Sequence, residues 1–305
     1  MTTDCSMVVF AYHEVGYRCL DLLIARQERV LAVFTHEDAA GEHIWFRSVA
    51  RLARAHGIPV YTPDGIRGPV VDQIRTLAPD IIFSFYYRHM IPAEVLRVPR
   101  LGAFNMHGSL LPRYRGRVPI NWAIIHGETR TGATLHHMVR RADAGDIVDQ
   151  EAVPIGPEDT AHDVFLKVTE AAVLVLDRNL AALKTGRAPR HPQDETQATT
   201  FGGRRPEDGR IDWSWPSQRI FDFVRALTEP YPGAFTTTRG RTLLIWWGRP
   251  VARPPAGPAQ AGAIISAEPL IVATGDGAFQ VDRAQWAHGG AVAAGEFVRF
   301  EVLGA

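Results

Sequence analysis

The stretch DIIFSFYYRHMIPAEVLRVPRLGAFNMHGSLLPRYRG, residues 80 to 116, contains two strand-like runs, each followed by a polar loop. DIIFSFYY is a mostly apolar run of the kind found in strands that are buried on both faces. LGAF begins the second run, and alternation along it places Asn105 and His107 on one side and Phe104 and Met106 on the other. The end of this second run therefore directs two polar side chains to one point.

Outward from this stretch, strand-like and helix-like patterns alternate along residues 7–183. Strand-like runs occur at 7–12, 30–35, 59–62, 132–139 and 146–153, and helical spacing occurs at 15–25, 45–56, 70–77, 120–127 and about 161–183. This alternation predicts an α/β fold with a Rossmann-like, mostly parallel sheet and helices on both faces. Open sheets of this kind bind ligands at the carboxyl ends of their strands, where Asn105 and His107 fall.

The composition changes between residues 185 and 210, which are rich in proline, glycine and charge. We predict a catalytic domain over residues 1–190, a linker over 191–210 and a second domain over 211–305. After one helical pattern at 217–227, the second domain contains short strand-like runs separated by turns, the last of them at 295–301. This pattern predicts a small, mainly β domain with an open barrel.

Composition excludes several classes of function. The 305 residues carry 33 basic and 33 acidic side chains, so no global charge favours nucleic acid or an anionic membrane. Cys5 and Cys19 are the only cysteines and lack zinc-ligand spacing, which predicts a reducing compartment and no metal. The N-terminus has no targeting pattern, and no apolar run approaches about 18 residues. We expect a cytoplasmic protein without membrane insertion.

A second polar motif, RRADAGDIV at 140–148, places Asp143 and Asp146 around an Ala-Gly turn. A carboxylate on such a turn can reach a neighbouring strand end. If Asp143 approaches His107, it favours the protonated imidazole, and Asn105 can then donate to an oxygen that gains negative charge. These three groups suit acyl transfer to an amine. The alternative is that the histidine is a structural strand-end residue and that the triplet is only a turn.

The motif NMHGSLLP at 105–112, with Arg115-Gly116 and DAGD at 143–146, resembles the formyltransferases that use 10-formyltetrahydrofolate. The resemblance extends over nearly the whole chain and includes FGGRR at 201–205 and YPGAF at 231–235, which are typical of members with a C-terminal barrel domain. Glycinamide ribonucleotide formyltransferases, which lack that domain, fit poorly. The resemblance implies that Asn105, His107 and Asp143 are catalytic and that 10-formyltetrahydrofolate is the co-substrate.

Among two-domain members, the sequence most resembles the formyltransferase domain that acts on UDP-4-amino-4-deoxy-L-arabinose in lipid A modification. The similar segments are residues 10–16, 34–38, 57–64, 82–91 and 105–148. This implies an N-formyltransferase that modifies the amine of a nucleotide-linked amino sugar. In the bifunctional polymyxin-resistance enzyme a decarboxylase follows this domain, whereas this sequence ends at residue 305. We therefore expect a stand-alone homologue or a different amino sugar.

Two alternatives remain at this stage. Methionyl-tRNA formyltransferase shares the catalytic loop but inserts a basic segment after the second strand, where this chain reads THEDAAGEHIWF at 35–46. That segment is acidic and short and lacks phosphate contacts, so we expect no nucleic-acid partner. The other alternative is a non-catalytic protein that binds folate or a nucleotide sugar; the presence of Asn105, His107 and Asp143 argues against it. Whether the chain forms a homo-oligomer stays open.

The resemblance also implies ligand contacts. The folate is expected near the end of DIIFSFYY, with contacts from His89, Met90, Ile91, Arg117, Val139, Arg140, Arg141, Ala142 and Asp143. Arg113 and Arg115 suit a nucleotide diphosphate, or are solvated loop arginines. His13 follows the first strand, where these folds bind ligands, and is a weaker substrate candidate. His136 and His137 are adjacent, face opposite sides of a strand and are not expected to be catalytic.

Overall fold

The computed structural model describes residues 5–37, 43–252, 260–290, 292, 296–297 and 301–304. They divide into two compact units. The first unit comprises Met1–Pro119, Arg130–Pro154 and Phe165–Gly202, and the second comprises Ile120–Thr129, Ile155–Val164 and Gly203–Ala305. Two short segments that lie in sequence between parts of the first unit thus belong to the second unit. Residues 38–42, within the acidic segment at 35–46, and most of the run at 295–301 lie outside the described residues.

The first unit contains a seven-stranded sheet with the order β3-β2-β1-β4-β5-β7-β8. The strands are β1 Ser6–Ala11, β2 Arg29–Phe34, β3 Val60–Tyr61, β4 Ile81–Phe85, β5 Gly102–His107, β7 Arg130–His137 and β8 Ile147–Pro154. The first five strands of this order are parallel, and β7 and β8 each pair antiparallel to the preceding strand. The mostly parallel α/β sheet is therefore confirmed. The order reverses between β1 and β4, the switch point at which such sheets bind ligands.

Helices connect these strands: α1 His13–Ala25, α2 Val49–Ala55, α3 Pro69–Leu77, α4 Ala93–Leu96, α5 Pro119–Ile125 and α6 Ala161–Lys184. The helix expected at 45–56 is shorter than predicted. Ser48 explains the difference, because its extended backbone starts the helix and its side chain accepts the N–H of Arg51. Gly57, with a φ of 69°, follows the end of the helix. Beneath the sheet, Val8, Phe10, Phe34 and Ile82 are buried in one hydrophobic cluster.

The second unit contains α7 Ser217–Leu227 and a five-stranded antiparallel sheet. Its strands are β10 Ala234–Thr238, β11 Arg241–Val251, β12 Ile264–Ala267, β13 Leu270–Ala273 and β14 Ala278–Trp286, in the order β10-β11-β14-β13-β12. The mainly β character is confirmed, as an antiparallel sheet with α7 packed against β11. The two short segments are tied in by polar contacts: Asn121 Nδ2 donates to Ala226 O and Arg225 Nη1 to Asp159 O, each at 2.8 Å.

The segment at 189–201, much of it predicted to be linker, is hydrogen-bonded to the first unit. His191 and Ile147 exchange two backbone bonds of 2.8 and 2.9 Å. Further along, β9 Thr200–Phe201 pairs with β6 Arg115–Gly116 in a short parallel ladder. This segment therefore contacts both the strand that follows Asp143 and the loop that follows His107. Among the described residues, no helix combines the length and apolar character needed to cross a membrane.

Candidate active site

The end of β5 presents the two polar side chains that the sequence singled out. Phe104 and Met106 are buried in the core, at 0% and 2% exposed. Asn105 and His107 point to the opposite face, as strand alternation requires. In the adjacent antiparallel strand, β7, His136 is paired directly with Asn105. Because directly opposed residues share a face of the sheet, the His136 ring lies beside Asn105.

Asp143 reaches this strand end from a tight turn. Its backbone is left-handed, with a φ of 53°, and Gly145 passes so close to β7 that a Cβ there would lie 1.9 Å from His137 O. Asp143 Oδ2 accepts the backbone N–H of Gly116 at 2.9 Å. Its Oδ1 lies 3.4 Å from Asn105 Nδ2, 3.6 Å from His107 Nδ1 and 3.5 Å from His136 Nε2. The turn thus brings one carboxylate to three polar side chains.

The hydrogen bonds assign the protons of the two imidazoles. His107 Nε2 lies 2.8 Å from Tyr114 O, a carbonyl that only accepts, so Nε2 carries a proton and Nδ1 faces Asp143. His136 Nδ1 donates to His137 O at 2.9 Å, and its Nε2 lies 3.1 Å from Asn105 Nδ2 and 3.5 Å from Asp143 Oδ1.

Charge on Asp143 is strongly favoured at this position. Burial by itself raises the pKa of the Asp143 carboxyl, but His107, His136 and the Gly116 N–H more than offset burial and hold that pKa well below its usual range. The carboxylate is therefore ionised throughout the physiological pH range. The ionised carboxylate lies 3.6 Å from His107 Nδ1 and places a negative charge beside the imidazole.

The residues predicted to contact folate lie in two segments of the first unit. His89 and Met90 follow β4 and are exposed, Met90 at 63%, whereas Ile91 is 8% exposed and belongs to the hydrophobic cluster under the sheet. Arg117 and the residues at 139–142 are exposed, and Met138, just before them, packs on the same cluster as Ile91. Both segments therefore adjoin one cluster, and their exposed side chains are accessible.

Two of the residues predicted to contact a substrate differ in exposure: Arg113 is exposed, whereas His13 packs among aromatic rings. Arg113 is exposed, with its guanidinium 5.6 Å from the centre of the Tyr114 ring. His13 begins α1 with a φ of 64°, and its ring packs at 3.9 Å from the Phe46 ring and 4.6 Å from Trp45. It lies next to the β1–β4 switch point, among aromatic rings.

The prediction that Arg115 contacts a nucleotide diphosphate, or is solvated, is wrong. The Arg115 side chain is only 1% exposed, and its guanidinium donates to Gln193 and Glu195. It is neither solvated nor directed at a phosphate, because a charge buried in this way is occupied by its protein partners. Sequence reasoning missed these contacts because both partners lie in the segment predicted to be linker.

His136 is the residue of the site that sequence reasoning discounted. The expectation that His136 and His137 face opposite sides of their strand is met: His136 lies 3.5 Å from Asp143, whereas the His137 ring packs 4.8 Å from the Phe104 ring. The contact of His136 with Asn105 depends on the register of β5 with β7, for which the sequence contains no signal. Within the described parts of the chain, no group of three or more His, Cys, Asp or Glu side chains is arranged to hold a metal ion.

Solved structures share this architecture at low sequence identity. The chain is similar to an N-formyltransferase from Helicobacter canadensis in complex with folinic acid and dTDP-3-aminofucose, at 19% identity and a TM-score of 0.74, over 92% of this chain and 99% of that one. A 4-N formyltransferase from Francisella tularensis gives 20% identity and a TM-score of 0.65, over 79% and 96%. HypX from Aquifex aeolicus, in complex with tetrahydrofolic acid, gives 20% and 0.63, over 92% and 44%.

Family models match both halves of the sequence. The model described as formyl transferase matches residues 23–180, more than half of the 305 residues. The model described as formyl transferase, C-terminal domain, matches residues 204–301. The match to the first model includes β5 and the turn of Asp143, and therefore the cluster of Asn105, His107, His136 and Asp143. The chain belongs to the formyl transferase family.

Proposed function

We propose that this protein transfers a formyl group from 10-formyltetrahydrofolate to the amine of a nucleotide-linked amino sugar, and that the sugar nucleotide is UDP-4-amino-4-deoxy-L-arabinose. One observation carries the proposal: an ionised Asp143 lies within 3.6 Å of both Asn105 Nδ2 and His107 Nδ1 at the carboxyl end of a central strand. Support for the ligands comes from similar proteins, crystallised with folinic acid and dTDP-3-aminofucose or with dTDP and 5-N-formyl-THF.

In the proposed reaction, the amine nitrogen attacks the formyl carbon, and a tetrahedral intermediate forms with negative charge on its oxygen. Protonated His107 supplies positive charge to that oxygen. Asn105 donates an N–H to the same oxygen. Of its two contacts, the 3.4 Å contact with Asp143 is the longer, and we expect it to be replaced by the bond to the intermediate. Because the pKa of Asp143 is low, we assign it the role of holding His107 cationic.

Collapse of the intermediate breaks the bond between the formyl carbon and the folate nitrogen. The amine loses one proton and the folate nitrogen gains one, so the reaction requires no external acid or base. We assign this proton path to His107: the imidazolium gives its Nδ1 proton to the folate nitrogen and then takes the proton that the amine releases, with Asp143 as its counter-ion. A positioned acid or base of this kind contributes roughly 100- to 10,000-fold to a rate.

For the co-substrate, we propose the exposed residues His89, Met90, Arg117 and 139–142 as the folate contacts, with Ile91 beneath them. Met90 and Val139, at 63% and 45% exposed, are large apolar side chains that a flat pterin can cover. For the sugar nucleotide we propose Arg113, as a phosphate contact, and His13, among aromatic rings near the sheet's switch point.

The experiment is a turnover assay. The protein is incubated with 10-formyltetrahydrofolate and each member of a panel of UDP- and dTDP-linked 3-amino and 4-amino sugars, and tetrahydrofolate release is followed by absorbance. The panel is needed because the similar proteins named with a nucleotide carry dTDP. We expect the highest kcat/KM with UDP-4-amino-4-deoxy-L-arabinose. A higher value for another sugar overturns the substrate, and no turnover with any sugar overturns the function.

A further inference from the structure

The 189–201 segment lies against both parts of the candidate site. At one end, His137 Nε2 lies 3.0 Å from Pro189 O, and His191 is paired with Ile147 after the Asp143 turn. At the other end, Thr199 accepts the backbone N–H groups of Tyr114 and Arg115 at 2.8 and 2.9 Å. The segment therefore joins the turn that carries Asp143 to the loop that follows His107.

Gln193 makes the central contact of this segment. Its Nε2 donates to Asp143 O at 2.8 Å and to Gly145 O at 2.7 Å. Its Oε1 accepts from Arg115 Nε at 3.1 Å and Nη2 at 2.7 Å. Carbonyls only accept and a guanidinium only donates, so the amide has one orientation that satisfies all four bonds. A flipped amide would place its oxygen against the carbonyls of Asp143 and Gly145 and its NH2 group against the Arg115 guanidinium.

Arg115 anchors this amide from the other side. Its Nη1 and Nη2 donate to Glu195 at 3.1 and 2.7 Å, and Glu195 also accepts from Arg141 Nη1 at 2.9 Å. The next residue, Gly116, donates its backbone N–H to Asp143 Oδ2. Gln193 thus holds the main chain of the Asp143 turn, and Gly116, the residue after Arg115, holds the Asp143 side chain.

We propose that Gln193 is a positioning residue for the formyl transfer: its amide fixes the Asp143 turn on the Arg115 guanidinium, so that the carboxylate meets His107 in the productive geometry. This inference rests on the proposed function, since it assigns Gln193 an effect that acts only through Asp143. It also gives Arg115 a role in place of the substrate contact predicted for it.

The test begins with Gln193→Leu, which removes all four bonds. A displacement of about 1 Å in a reacting group costs roughly 100-fold, so we expect kcat to fall about 10- to 100-fold while both KM values stay within about twofold. In the free protein, we expect the amide proton resonance of Gly116 to move upfield, because its bond to the carboxylate lengthens. Gln197→Leu is the matched control: Gln197 is exposed on the same segment, and its Nε2 donates to Asp194 Oδ2 at 2.8 Å. It should leave kcat and the resonance unchanged.

Gln193→Glu separates positioning from a general structural role. This variant keeps an acceptor for Arg115 but turns a carboxylate oxygen toward the carbonyls of Asp143 and Gly145. If Gln193 acts by holding the turn, kcat falls as in the leucine variant. Wild-type kcat in Gln193→Glu overturns the inference, and so does an unchanged Gly116 resonance in either folded variant. If Gln193→Leu does not fold, the glutamate variant decides alone. An inactive wild type defeats the proposed function instead, and the Gly116 resonance still tests the positioning.

Discussion

Replacing Gly145 by alanine should disable the candidate site without touching any side chain in it. The added Cβ would lie 1.9 Å from His137 O and 2.9 Å from the carbonyl carbon, whereas real Cβ contacts are essentially never shorter than 3.0 Å. The obstacle is the backbone of a central strand, which cannot turn aside as a flexible side chain can. The turn must therefore move by about 1 Å, and Asp143, two residues away, moves with it.

That displacement gives the expected magnitude. A shift of about 1 Å in a catalytic group costs roughly 100-fold, so we expect kcat of Gly145→Ala to be reduced about 100-fold in the turnover assay. Gly202→Ala is the control, because no heavy atom lies within 4 Å of its added Cβ and its backbone does not require glycine. It should retain wild-type kcat.

The double variant tests the cause. If the alanine acts by displacing Asp143, then Asp143→Asn removes the group that is displaced, and Gly145→Ala should cost almost nothing further in that background. Wild-type kcat in Gly145→Ala would refute the assignment of Asp143 to the reaction, or the requirement for its position. A full 100-fold loss in both backgrounds would place the effect elsewhere on the turn.

Three further predictions concern activity and stability. Asn105→Ala and His107→Ala should each lower kcat by roughly 100- to 1,000-fold or more with folate affinity unchanged, as measured by turnover and by folate titration. Asp80→Ala should lower the free energy of urea unfolding by about 1–3 kcal/mol, because the Asp80 carboxylate accepts the backbone N–H of Ser6 at 2.8 Å. Asp72→Ala is the control and should cost less than about 1 kcal/mol, because the Asp72 side chain is 72% exposed. Because folding lowers the pKa of Asp143, the stabilising contribution of its carboxylate is present above about pH 4 and is lost as the pH falls further. The difference in unfolding free energy between wild type and Asp143→Asn should therefore shrink in unfolding curves recorded at successively lower pH.

The parts of the site that the sequence could predict are those set by local pattern. Alternation along β5 is sufficient to place Asn105 and His107 on one face, and the buried Phe104 and Met106 follow from the same period. The Asp143 turn could be recognised from its small residues, and its approach to His107 could be stated as a condition; the catalytic role of Asp143 came from the resemblance to known formyltransferases. The 3.6 Å separation itself depends on the hydrogen bond to Gly116 and on the close passage of Gly145, which no local pattern encodes.

The remaining contacts depend on pairings between distant parts of the chain. His136 meets Asn105 only because β5 and β7 are antiparallel in one register, and a shift of one residue would exchange it for His137. Proline and charge at 189–201 are typical of a linker when considered locally. The same residues are ordered here because a buried guanidinium must be satisfied, and Gln193 and Glu195 satisfy it. A segment of linker composition can therefore be part of the candidate site when it supplies partners of a buried charge, and the sequence contains no sign of this until the charge is located.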